Sequence, residues 1–183
     1  MINKAKNAIH QAVAPLIHAA LPDAPIRKYG IHPLLWDILV AIGIPPSRCG
    51  QSIGSAAASA GTHVKTGVYQ GSDYSPCLDF RITDMSHADA LTYILKPLAA
   101  RGVCAFLRVP GADGWPSTEA YHLHAIYPAC NLTPIVAHQV MDWLSLPTRN
   151  ALRGHDVYGA YNASASDREA CKALFAEHKV VIL

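Results

Sequence analysis

Residues 77–82, CLDFRI, alternate apolar and polar side chains: Leu78, Phe80 and Ile82 fall on one side, Asp79 and Arg81 on the other. Successive side chains of a strand point to opposite faces, so this run reads as a half-buried strand whose second face carries charge. EAYHLHAIY (119–127) has the same period, with His122 and His124 on one face and Leu123 and Ala125 turned to the core. VCAFLRV (103–109) makes a third strand.

The intervening segments set the class. SHADALTYILKPLAARG (86–102) predicts a helix capped by Ser86 and closed by Gly102. TPIVAHQVMDWLSL (133–146) predicts an amphipathic helix with Pro134 at its start. Further helices are expected over 3–21, ending at Pro22, and over 33–42, with Pro33 in the first turn and Gly43 near the end. GQSIGSAAASAG (50–61), the Gly-, Ser-, Tyr- and Thr-rich stretch 62–76, and PGADGWPST (110–118) read as loops. The expected fold is α+β: a small, mostly antiparallel sheet flanked by helices. Residues 1–50 are expected to form a helical segment packed on a core unit spanning 51–183.

A chain of 183 residues, 51% hydrophobic and 15% charged, can bury a core without disulfide support. Net charge is +2, far from the basic footprint of a nucleic-acid binder, so no nucleic-acid partner is expected. The five cysteines, at 49, 77, 104, 130 and 171, form no C-x-x-C pair and read as buried thiols of a reducing compartment. His10, Gln11, Pro15 and His18 interrupt the apolar start, and Pro33 and Asp37 break 31–44. Neither a secretion signal nor a membrane span is expected, and synthesis in the cytoplasm follows.

If the strands bearing Asp79 and His124 are neighbours, a carboxylate and two imidazoles share one patch, and His63 upstream can add a third ring. A His, Asp, His set with one open position is the donor pattern of catalytic zinc. Each residue alone has a plainer explanation: a surface histidine, a polar pair on a strand, a salt bridge. A carboxylate on a half-buried strand does need a partner.

The order GTHVKTGVYQGSDYSPCLDFRI, helix and strand, then WPSTEAYHLHAIY resembles the zinc D-alanyl-D-alanine peptidases and murein endopeptidases that share the Hedgehog-type fold. His63, Gly67 and Asp79 match that family's His, three residues, Gly, then Asp, and the resemblance covers about residues 59–127. The family usually sets its first His and Asp about seven residues apart, against sixteen here, which calls for an inserted loop around Tyr69–Pro76. The resemblance implies Zn2+ held by His63, Asp79 and His124. It also implies a peptidoglycan peptide substrate, and action at the cell wall after release, as by a phage-type lysis enzyme.

The ending Glu119-Ala120-Tyr121-His122-Leu123-His124 satisfies two branches of the family. In one, His124 binds zinc and His122 is the base; in the other, His122 binds and Glu119 is the base. Strand alternation puts Glu119 opposite His122 and favours the first. Arg81, beside Asp79, could steady an oxyanion or hold a substrate carboxylate, an ordinary salt bridge being the equal alternative. The alternative for the whole chain is a non-catalytic metal-binding module, structural or virion-associated, on the same fold.

Overall fold

The computed structural model describes residues 26–54, 57–111, 117–118, 120–145 and 164–177. The helix expected over 3–21 and the candidate base Glu119 lie outside these residues. The fold is α+β, built on two three-stranded sheets rather than one. β1 (Gly30–Ile31) leads through the cap residue His32 into α1 (Pro33–Ala41). Pro33 suits the first turn, where no amide is missed, and His32 Nδ1 accepts from the Leu34 amide at 3.2 Å.

β2 (Gly67–Tyr69) and β3 (Ser72–Ser75) form a hairpin in the stretch expected to be loop, and β1 pairs parallel to β3. Its two turn residues, Gln70 and Gly71, both have positive φ, 51° and 76°. A turn of this hand matches the twist of paired strands. Glutamine before the glycine hid a signal that Asn-Gly would have shown.

The second sheet has the order β4 (Cys77–Arg81), β6 (His122–Ile126), β5 (Cys104–Arg108), antiparallel throughout. Between β4 and β5 runs a continuous helical stretch: α2 (His87–Ala90), a π-helical turn (Leu91–Leu95) and α3 (Lys96–Ala99). Ser86 Oγ caps it by accepting from the Asp89 amide at 3.1 Å. Pro97 cannot donate to Tyr93 and crowds that carbonyl, so the widened turn falls where a regular helix would be strained. Gly102, at φ +81°, ends the run, and the Val103 amide returns to the Leu98 carbonyl at 3.0 Å.

α4 (Pro134–Ser145) and α5 (Ala165–Glu177) complete the described elements. Buried Arg168 of α5 lies over the Trp143 ring of α4, 4.4 Å from its centroid, and donates to the Trp143 carbonyl. Leu78, Phe80, Leu123, Ala125, Ala105 and Leu107 share one core with Ile31, Leu35 and Leu39 from the N-terminal side and Ile94, Leu95 and Leu98 from the helical run. Among the described residues, no helix is long and apolar enough to cross a membrane.

Candidate metal centre

The register of the second sheet stacks three rows of side chains on its other face. Cys77, Ile126 and Cys104 make the first, Asp79, His124 and Phe106 the second, and Arg81, His122 and Arg108 the third. The first row is fully buried and Arg81 in the third is exposed. The face therefore runs from a dry apolar end to a charged rim, with the carboxylate–imidazole pair between them.

His63 arrives from the loop preceding β2, and backbone bonds on both sides hold that loop. The Gly50 amide donates to the Asp79 carbonyl at 2.7 Å and the Asp79 amide to the Gln51 carbonyl at 2.8 Å, lashing the loop to β4. A Cβ on Gly50 would stand 3.2 Å from the Asp79 carbonyl oxygen, so the close approach favours glycine there. The Gly54 amide donates to the His63 carbonyl at 2.9 Å, and Thr133 Oγ1, beside α4, donates to the Gly61 carbonyl at 2.6 Å. The sixteen residues from His63 to Asp79 are taken up by the β2–β3 hairpin, which returns the chain to the sheet.

Three donor atoms converge. His124 Nδ1 lies 2.8 Å from Asp79 Oδ1, His63 Nε2 lies 3.2 Å from the same oxygen, and the two ring nitrogens are 3.3 Å apart. Ligands about 2.1 Å from a tetrahedral metal stand about 3.4 Å from one another, so the two edges at His63 are close to the size a metal would impose and the His124–Asp79 edge is shorter. Both rings are nearly sealed from solvent, His63 at 2% and His124 at 5% exposure. His63, Asp79 and His124 thus form a buried group that could hold a metal ion.

Tautomers reinforce this. His63 Nδ1 is 3.0 Å from the Ser52 carbonyl, which only accepts, so Nδ1 carries the proton and Nε2 turns its lone pair to the triangle. His122 behaves alike: Nδ1 donates to the Ala120 carbonyl at 3.0 Å, leaving Nε2 as the basic atom, 3.7 Å from Asp79 Oδ1. Burial alone would raise the Asp79 carboxyl, but hydrogen bonds from His124 and His63 and their charges outweigh it and hold the group far below the usual carboxylate range. Burial lowers His124 and disfavours its charged form, against the pull of Asp79. The contribution of His63 to that lowering belongs to its protonated ring; in the neutral ring the Nε2 lone pair faces the carboxylate at 3.2 Å, an arrangement that an added proton or a cation relieves.

No protein-family model, curated protein or solved structure matches the chain. The centre has to be read from its own chemistry.

A cavity of about 70 Å³ opens beside the triangle, lined by Ser59, Thr62 and His63 from the loop, Asp79, Phe106, Arg108, His122 and His124 from the sheet, and Gln139 from α4. A water needs roughly 10–15 Å³ of such space, so an ion, a few waters and one reacting group fit. A long substrate has to lie across the mouth.

Of the residues singled out in the sequence, His63, Asp79, His122 and His124 meet at this cavity. Arg81 does not line it. It is exposed on edge strand β4, while Arg108, opposite His122 on β5, supplies the lining guanidinium. Strand alternation put Arg81 beside Asp79 correctly, but both arginines flank His122, and the loop and α4 packed over this face, invisible in the sequence, decide which one overlooks the cavity. Gln139 did leave a sequence signal. It sits three residues after Val136 and four before Trp143, half-buried beside the apolar stripe of α4.

Proposed function

We propose that this chain is a zinc-dependent hydrolase cleaving peptide bonds of bacterial cell-wall peptidoglycan, a lysis enzyme of the phage type. The observation that carries the metal part is the convergence of His63 Nε2, Asp79 Oδ1 and His124 Nδ1 within 2.8–3.3 Å. Two imidazole nitrogens and one carboxylate oxygen suit zinc and would leave it one open position. Zinc in such a set supplies Lewis acidity, bringing a bound water's pKa down to about 7 and polarising the carbonyl under attack.

The chain's own residues do the rest. His122, with its proton fixed at Nδ1, takes a proton from the attacking water at Nε2 and later gives it to the leaving nitrogen. Asp79 remains ionised throughout, and Phe106 excludes water from one side. Arg108 is placed to receive the negative charge that develops on the carbonyl oxygen. The substrate class rests on the resemblance of His63–Gly67, Asp79 and His122-Leu123-His124 to the murein peptidases.

The small cavity and sealed ligands also suit a metal that clamps the loop to the sheet without turnover. Metal analysis of the purified protein followed by a muropeptide digest separates the two. About one zinc per chain with cleavage supports the hydrolase, zinc without cleavage supports the clamp, and no metal uptake at neutral pH rules out both.

A further inference from the structure

We infer that Gln139 of α4 is the hydrogen-bond acceptor for the Nε2–H of His124, holding that ring in the tautomer that turns Nδ1 toward the metal. The inference rests on the metal-binding reading above and adds a positioning residue to it. His124 reaches the triangle through Nδ1. A neutral imidazole carries one proton, so a ring whose Nδ1 offers a lone pair to a metal must carry that proton on Nε2. That atom is buried and, among the described residues, has no hydrogen-bond partner. Gln139 Oε1 is likewise buried and unpartnered, and both side chains line the same small cavity.

The two atoms do not stand in hydrogen-bond geometry in the metal-free chain, and they become complementary only when metal is bound. Without metal, the Nδ1 proton of His124 is given to Asp79 at 2.8 Å and Nε2 presents a lone pair, which a carbonyl oxygen cannot satisfy. Once a metal takes Nδ1, the proton sits on Nε2, and a turn of the Gln139 side chain within the shared cavity makes Oε1 its acceptor. Gln139 Oε1 is sealed from solvent, and a buried amide oxygen is costly unless it serves such a bond. Metal-ligating histidines commonly give their second N–H to a fixed acceptor, and losing that partner weakens metal binding roughly 10- to 100-fold.

The test measures zinc affinity of the full chain by chelator competition, for wild type, Gln139→Met and Gln139→Glu. Gln139→Met should bind zinc roughly 10- to 100-fold more weakly, whereas Gln139→Glu, which keeps an acceptor, should stay at or above wild-type affinity. Nitrogen NMR of histidine-labelled, zinc-loaded wild type should show His124 protonated at Nε2, with that proton in slow exchange. Unchanged affinity in a folded Gln139→Met, or a fast-exchanging Nε2 proton, overturns this inference alone. A fast-exchanging Nε2 proton overturns the inference even if Gln139→Met fails to fold, and Gln139→Glu at or above wild-type affinity then supports it. A wild-type chain that takes up no zinc overturns the metal reading along with it.

Discussion

His124 and Asp79 stand directly opposite each other across the β4–β6 ladder, and His124 Nδ1 meets Asp79 Oδ1 at 2.8 Å. A one-residue slip in that ladder would turn one of the two side chains into the core. Leu78, Phe80, Leu123 and Ala125, all buried on the other face, prevent it. Hydrophobic packing on one side of the sheet thus sets the geometry of the polar centre on the other.

Removing the carboxylate should therefore remove the metal. Asp79→Asn keeps shape and strand pairing but takes away the only charge in the donor triangle. Zinc affinity is expected to fall by more than the ~100-fold that loss of an outer partner costs. Chelator competition would read it, and an affinity within about tenfold of wild type would contradict the assigned donor set.

His122 should behave differently from its neighbour two residues on. His122→Ala is expected to retain zinc and lose roughly 10²- to 10⁴-fold in kcat on muropeptides, the usual contribution of a general base. His124→Ala should lose metal and activity together. Zinc content and turnover measured on both variants distinguish the roles, and loss of metal from His122→Ala would reassign that ring as a ligand.

Acid should destabilise the metal-free protein in two stages. The folded His124 ring resists protonation because of burial, so the unfolded chain binds the extra proton below its ordinary pKa of about 6.5, and stability falls as pH drops through that range. Asp79, held low, contributes stability that is complete above the unfolded value of about 3.9 and is lost as pH falls below it. Melting in chelator should show Tm decreasing from pH 7 to pH 5 and again below pH 4. His124→Gln should flatten the first slope; an equal slope would locate that effect elsewhere.

Far from the centre, Gly102→Ala tests how α5 is seated. Gly102 has φ +81°, and a Cβ there would lie 2.3 Å from Leu174 Cδ1 and 3.2 Å from the Ala170 carbonyl. Left-handed backbone strain together with the clash should cost about 1–3 kcal/mol. Urea unfolding would measure it, with zinc affinity left within about threefold because the donor residues are on other elements.

Period-two alternation in CLDFRI and HLHAI was enough to place Asp79, His122 and His124 on polar strand faces, because alternation is a local property of extended backbone. Caps and breakers were also local: Ser86, Pro33 and Gly102 marked helix ends where the structure has them. The β2–β3 hairpin escaped, since Gln70 adopts a positive φ that its residue type does not advertise. Strand order, and the packing of loop and α4 that puts Arg108 rather than Arg81 in the cavity lining, came only from the tertiary structure. So did the arrival of His63, carried by a loop bonded to the backbone of Asp79, and the placing of Gln139 at the cavity that His124 lines. Neighbours across a sheet or against a helix are chosen by packing of the whole core, and no window of adjacent residues records that choice.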